Sequence, residues 1–418
     1  MAYSQEIAWG DGTGDKIYFS APASEGNQTV EISSDANGGS ERTKTVNFNA
    51  SGVSPQPLQI VQLAGGGGTD FDAWLKDGDT HLWINIVNDY QLAQEIRIKM
   101  IGTIDWGDGT TESVSATAYT TFSHTYSAIG KYRIDLKPTS GTFELGGANA
   151  SYNVMGVRSN YTFWRTGVLY QVEVGSKQIN TISRNAFAYL NGLYRVYVAK
   201  TITTVNQNTC NSCYALREFI CEDSNRITSC ILENNFYNCY NLQAFNFFPK
   251  TTETSFTGVV RSCFSLMEYT IPSTVTSIAA SSLATVYSLK RLYCLPTSAP
   301  TAANANVFTS LPSDCSIKVP KGSLSSYQGA TYWSTYSSQM SEAGAITFTL
   351  TSVTSSNQKP MADLNASYTT TLTPDTGKTL GTVTVKMGGV DITSTAYSAG
   401  VVTIANVTGN IEITATAS

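Results

Sequence analysis

The chain has 418 residues, of which only 14% are charged, and a net charge of -5. That length suits three or four domains of ordinary size, and without a Lys/Arg cluster nucleic acid is excluded as the main ligand. No apolar run approaches the ~18 residues needed to cross a bilayer, so no membrane insertion is expected. The opening MAYSQEIAWGDG has neither a basic leader nor an apolar core, and the first cysteine is Cys210, so neither a secretory signal nor a lipid-anchor cysteine is expected.

Ser, Thr, Asn and Gly dominate the polar residues, a composition typical of extended β-rich chains. Residues 1–64 alternate in short segments, Lys16–Phe19, Thr29–Ile32, Thr45–Phe48 and Leu58–Val61, between turn-forming clusters such as Asn37-Gly38-Gly39-Ser40. This pattern predicts a small antiparallel sandwich. Gly65 to Gly68 follow; four glycines in a row predict a flexible tether over 65–68.

Residues 69–165 predict a second sandwich, with strands at Leu82–Ile86, Ile96–Ile101 and Tyr132–Leu136. Between them Asp105-Trp106-Gly107-Asp108-Gly109-Thr110 predicts a tight Asp-Gly turn, because glycine takes positive φ and aspartate bonds its own backbone. Tyr126 and Tyr132 are expected to fill this module's core.

From 166 to 342 the period changes. A Leu-x-x-apolar-x-apolar pattern begins at Leu169, Leu193, Leu216, Leu242, Leu266 and Leu289, with spacings of 24, 23, 26, 24 and 23 residues. A period in the twenties marks a leucine-rich repeat solenoid, whose coils bury their apolar faces only by stacking. Three residues before five of these leucines stand Leu190, Cys213, Cys239, Cys263 and Val286. Cysteine thus replaces an apolar ladder residue, and the eight cysteines are expected to be buried free thiols. Tyr327, Tyr332 and Trp333 are expected to cap the last coil. Residues 343–418 return to alternation at Ile346–Phe348, Tyr368–Leu372, Val383–Val385, Val402–Ile404 and Ile411–Ile413, predicting a final sandwich. The fold class is therefore mainly β, with β-sandwich modules flanking a leucine-rich repeat solenoid.

Four resemblances overlay this reading. The strands Val30–Ser34, Arg42–Val46 and Leu58–Gln62 resemble those of a BACON domain. Asp105–Thr110, with His124-Thr125-Tyr126 and Gly130-Lys131-Tyr132, resembles a PKD-type module. Ile271–Ile278 and Val319-Pro320, with Tyr332-Trp333, look like the bacterial cell-surface leucine-rich class called BspA-like. Val383–Thr393 is similar to immunoglobulin-like repeats of phage fibres. These resemblances imply carbohydrate or surface adhesion, and their combination looks like a virion protein of a phage infecting gut bacteria of the Bacteroides kind.

Few constellations carry chemistry. His124 with Asp105 and Asp108 reads either as a metal site or as a turn bond; His81 is the only other histidine, too few for a three-histidine zinc. Cys210-Asn211-Ser212-Cys213 has redox or zinc spacing, yet it falls on ladder positions. Calcium is conceivable at Asp105/Asp108 or Asp11/Asp15 through hard oxygen ligands, although neither run has the spacing of a calcium loop. No nucleophile elbow or phosphate loop appears, so an enzyme is not expected and no cofactor is assigned.

Alternation turns the second and fourth residues after each leucine away from the core. The resulting rows hold Arg195/Tyr197, Glu218/Ile220, Ala244/Asn246, Glu268/Thr270 and Arg291/Tyr293. Arg195, Tyr197, Glu218, Glu268, Arg291 and Tyr293 are the candidate ligand-binding residues, tyrosine to stack on sugar rings and charged groups to bond hydroxyls. The alternative is a solvated sheet face with no ligand. The expectation is a structural virion protein (head fibre, decoration or tail fibre) that binds host cell-surface carbohydrate or other virion proteins as a homo-oligomer. Rival expectations are a bacterial cell-surface adhesin and a non-catalytic accessory subunit of a glycan-degrading system.

Overall fold

The computed structural model describes residues 77–146, 152–157, 167–247 and 251–418, and five strands that precede them. The chain divides into two compact units, Met1–Lys76 and Asp77–Ser418. In the first, Tyr3–Ala8, Lys16–Ser20 and Ile32–Ser34 form an antiparallel sheet, and Arg42–Phe48 pairs with Gln56–Gln62. The expected strands fall within these except for 29–31, which lie outside the described residues, as do Asp11, Asp15 and the 65–68 glycines. Tyr3–Ala8 is a strand that alternation alone did not single out.

In the second unit the repeat register is visible in the strand pairing. Leu169–Val174, Arg195–Val198, Glu218–Cys221 and Ala244–Phe245 lie parallel, with Val172 opposite Val196, Val196 opposite Phe219 and Phe219 opposite Phe245. Glu268–Ile271, Arg291–Cys294 and Ser316–Pro320 continue the arrangement in a second sheet. Shorter ladders run on the far side of the coils: Thr181–Ile182, Thr204–Val205 and Ser229–Cys230, then Ser255–Phe256, Ser277–Ile278 and Thr301–Ala302.

The ladder leucines, and the Leu190, Cys213, Cys239, Cys263 and Val286 positions before them, are fully buried. Each such leucine contributes about 1.5–3 kcal/mol by leaving water. The thiols also donate hydrogen bonds to carbonyls of the coil before: Cys213 to Phe187 (2.9 Å), Cys239 to Cys210 (3.1 Å) and Cys263 to Phe236 (3.1 Å). Coil corners recur at Asn185, Asn208, Asn234, Gly258 and Ser281, all at positive φ. Asn and Gly suit that conformation better than most residues.

After residue 77 the flanking segments share sheets with the repeats. Thr80–Ile86 pairs antiparallel with the first repeat strand, so one nine-stranded sheet runs from the repeats through Gly130–Leu145 and Ala93–Asp105 to Thr111–Ser115. One apolar cluster extends from Leu82 to Met340. At the other end Met340–Thr351 pairs in parallel with Ser316–Pro320 and then with Ile411–Ala417. The physical reason is that the outermost strands of a parallel stack carry unpaired backbone groups, which the flanking strands satisfy.

Tyr126 is core, its hydroxyl donating to the Trp106 carbonyl (2.9 Å), whereas Tyr132 is half-buried beside it. Tyr327 and Trp333 cap the last coil, donating to the carbonyls of Pro296 and Pro300 (2.8 Å each). Tyr332 is not part of that cap: it lies on the surface at positive φ. Beyond the cap, two sheets enclose a second apolar cluster from Ile346 to Ala417. Among the described residues, no helix is long and apolar enough to cross a membrane.

Candidate functional site

The six candidate residues divide between two sheets with different surroundings. Arg195, Tyr197 and Glu218 belong to the first. The expectation that Arg195 and Tyr197 face solvent is corrected here: they are 7% and 6% exposed. Arg195 Nε meets Glu218 at 2.7 Å, the Tyr197 hydroxyl reaches the same carboxylate at 3.3 Å, and the rings of Tyr194 and Tyr197 flank the guanidinium. Burial opposes the Arg195 charge, but Glu218 outweighs it and holds the guanidinium pKa above its usual value. These groups satisfy one another, which is the condition for buried charge.

Glu268, Arg291 and Tyr293 belong to the second sheet and meet a different neighbour. Arg291 pairs with Glu268 one coil away, yet its side chain stays 53% exposed. Arg291 and Tyr293 line a cavity of about 470 Å³, together with Lys290, Lys318, Lys359 and Asp363. Lys318 stands opposite Tyr293 in the next coil, so the repeat places it on the same row. Asp363 arrives from the C-terminal segment, where Met361–Asp363 pairs antiparallel with Ala343–Ala345, and it bonds Lys318 at 2.9 Å.

The C-terminal segment that supplies the far wall is also tied to the repeats outside the cavity. Asp375 contacts Lys200 at 3.1 Å and Arg226 at 3.2 Å, and Gln358 donates to the Glu222 carbonyl. Burial would raise the Asp375 pKa, but Lys200 and Arg226 overcome it and keep the carboxylate below its ordinary range. The C-terminal segment is thereby fastened to the repeats at Lys200, Glu222 and Arg226. The cavity's volume falls within the range that small-ligand sites occupy.

The remaining constellations act within the fold. His124 Nε2 bonds Asp108 at 2.8 Å and its ring stacks on Trp106, so it braces the Asp-Gly turn. Asp108 also accepts from the Thr110 amide, while Asp105 accepts from Gly107 and from Lys137 (2.9 Å). Cys210 and Cys213 lie in the buried ladder, and all eight cysteines are free. Among the described residues, no three His, Cys, Asp or Glu side chains gather as ligands for a metal ion.

Two features escaped the sequence reading. Buried His81 bonds Asp135 at 2.7 Å and approaches Asp77 at 3.3 Å, with Glu173 close to Trp83 (3.1 Å). Asp135 lies 54 residues from His81 and Glu173 lies 90 from Trp83, so those partners leave no local signal. Secondly, Tyr214, Tyr240, Phe264 and Tyr287 stack ring on ring along the surface, with centroids 5.0, 4.6 and 5.3 Å apart. Each stands two residues before a ladder leucine, a periodicity that was legible.

Residues 153–235 and 225–337 match the BspA type leucine rich repeat region family in six copies. The chain therefore carries BspA-type leucine-rich repeats over this span. No curated protein matches the chain. Two solved structures are similar at low identity. One is a leucine-rich repeat protein from Bacteroides ovatus, 16% identical with a TM-score of 0.29, covering 41% of this chain and 41% of that one. The other is a leucine rich cell surface protein from Faecalibacterium prausnitzii, 18% identical with a TM-score of 0.29, covering 43% of this chain and 54% of that one. The present chain thus spans about two fifths and about half of those two proteins.

Proposed function

We propose that this chain is a binding protein, not an enzyme, and that it acts as an adhesin of the bacterial cell-surface kind. Its BspA-type repeats form a leucine-rich solenoid with a sandwich-like module at each end, and the cleft beside Tyr293 holds a surface carbohydrate. One observation carries the reading: the repeat register delivers Arg291, Tyr293 and Lys318 to one wall of a 470 Å³ cavity whose other wall comes from residues 357–368. An aromatic ring among hydrogen-bonding groups suits a pyranose, whose C–H face packs on the ring while hydroxyls meet polar side chains.

A weak single site suffices for adhesion, because many copies on one surface raise the effective concentration. The virion placement rests only on the resemblances of the flanking modules, whereas the cell-surface reading agrees with the repeat family that matches. The test is retention of the purified chain on whole bacterial or host cells and on their extracted polysaccharides. Tyr293→Ala is expected to weaken retention about tenfold, the effect of ~1.4 kcal/mol. Failure to bind any cell or polysaccharide would remove the proposal.

A further inference from the structure

The adhesive reading leaves the ligand's chemistry open, and the charge of the cleft narrows it. Lys290, Arg291, Lys318 and Lys359 line the cavity against a single carboxylate, Asp363, in a chain whose net charge is -5. Three of the cations have carboxylate partners: Lys290 with Asp314 (2.5 Å), Arg291 with Glu268, and Lys318 with Asp363 (2.9 Å). Lys359 has no ion-pair partner among the described residues. Four cations against Asp363, Glu268 and Asp314 leave one positive charge in excess.

The paired cations also keep donors in hand. Arg291 directs Nε and Nη2 at Glu268, which leaves Nη1, and the Lys318 ammonium has three N–H groups for one carboxylate. Half-buried Tyr293 supplies a ring, and Ser316 and Asn357 add polar surface. We propose that the cleft binds an acidic sugar unit, a pyranose bearing a carboxylate or sulfate, with Lys359 as its principal counter-charge. The inference rests on the glycan-binding reading above and specifies the charge of the ligand. A free inorganic anion would use the lysines but not the ring.

The experiment uses the full chain in titration calorimetry against polygalacturonate, hyaluronate and dextran sulfate, with dextran as the neutral polymer and sulfate ion as the bare anion. The expected result is at least tenfold tighter binding of one acidic polymer than of dextran, weakening with added salt. Lys359→Gln should lower that affinity about fivefold, and Lys359→Glu further, with unchanged melting temperatures. Tyr293→Ala should weaken the polymer but leave sulfate-ion binding as it was. Preference for dextran, or for other neutral polymers from cells that retain the chain, overturns the acidic assignment and leaves adhesion standing. Indifference of acidic-polymer binding to both Lys359 variants overturns the placement in this cleft. If cells and all polymers are ignored, both proposals fall.

Discussion

When the folded chain meets excess maleimide at pH 8, the cysteines should resist modification, and Cys315 should be the first to yield. All eight thiols are buried. Burial pushes Cys210, Cys239 and Cys294 well above the ordinary thiol range, and pushes Cys315 up to about 11. A thiol of pKa 11 is about 0.1% ionised at pH 8, against roughly a quarter for a free cysteine of pKa ~8.5, so ionisation alone slows it about 200-fold. The interior thiols must also wait for the coils to part. An opening that costs about 5 kcal/mol delays them roughly 5,000-fold. Cys315 comes first because its neighbour Asp314 is on the surface at the last coil. The assay is a timed pulse of reagent followed by intact-mass measurement, with a guanidinium-unfolded sample in which all eight should react. Rapid modification of Cys210 and Cys213 in the folded chain would refute the ladder reading. So would release of zinc on thiol titration.

Two further outcomes follow from local geometry. At Gly107, φ is +80° and an added Cβ would lie 2.3 Å from the Arg133 carbonyl oxygen, whereas at Gly109 it would meet nothing within 4 Å. Gly107→Ala should therefore cost at least about 2–3 kcal/mol in urea melts and Gly109→Ala about 1–2 kcal/mol, from strain alone; equal losses would contradict the packing. For His81, burial lowers the pKa, but the hydrogen bond and charge of Asp135, with Asp77 and Glu173, outweigh it and leave the value raised. A raised histidine stabilises fully below its unfolded pKa of about 6.5, and that contribution is lost as pH climbs through the folded value. Melting temperature should therefore fall as pH rises above 6.5, and His81→Gln should flatten that fall. Parallel curves for both proteins between pH 6 and 9 would exclude the pair as the cause.

Much of the repeat architecture was legible because stacking enforces a period. Leu193, Leu216 and Leu242 each meet the same environment one coil on, so their spacing reports the fold directly. The cysteines were readable for the same reason, since they occupy ladder slots. The face was only half legible. Alternation gives the side of the sheet on which Arg195 and Arg291 stand, but not what lies over each. Arg195 closes onto Glu218, whereas Arg291 looks onto a cleft. Lys359 and Asp363 fall more than 60 residues beyond Arg291, in a segment read as a separate module, and no periodicity links them to the repeats.

The flanking segments join the repeats at the sheet edges, and the reason bears on function. A stack of parallel strands ends in two rows of unsatisfied amides and carbonyls, which invite pairing with another chain. Here Thr80–Ile86 closes one end and Met340–Ala343 the other, each continuing a core begun in the repeats. Parallel pairing of Met340–Ala343 with Ile317–Pro320 also fixes the direction in which the C-terminal segment leaves the last coil. Asp375 then meets Arg226 and Lys200, three and four coils before the one that opens at Leu289, so the segment lies along the repeats instead of pointing away from them. The cleft beside Tyr293 is a consequence of that return path. Edge closure and site formation are thus one structural event, and a ligand in the cleft contacts both the repeats and the segment that ends them.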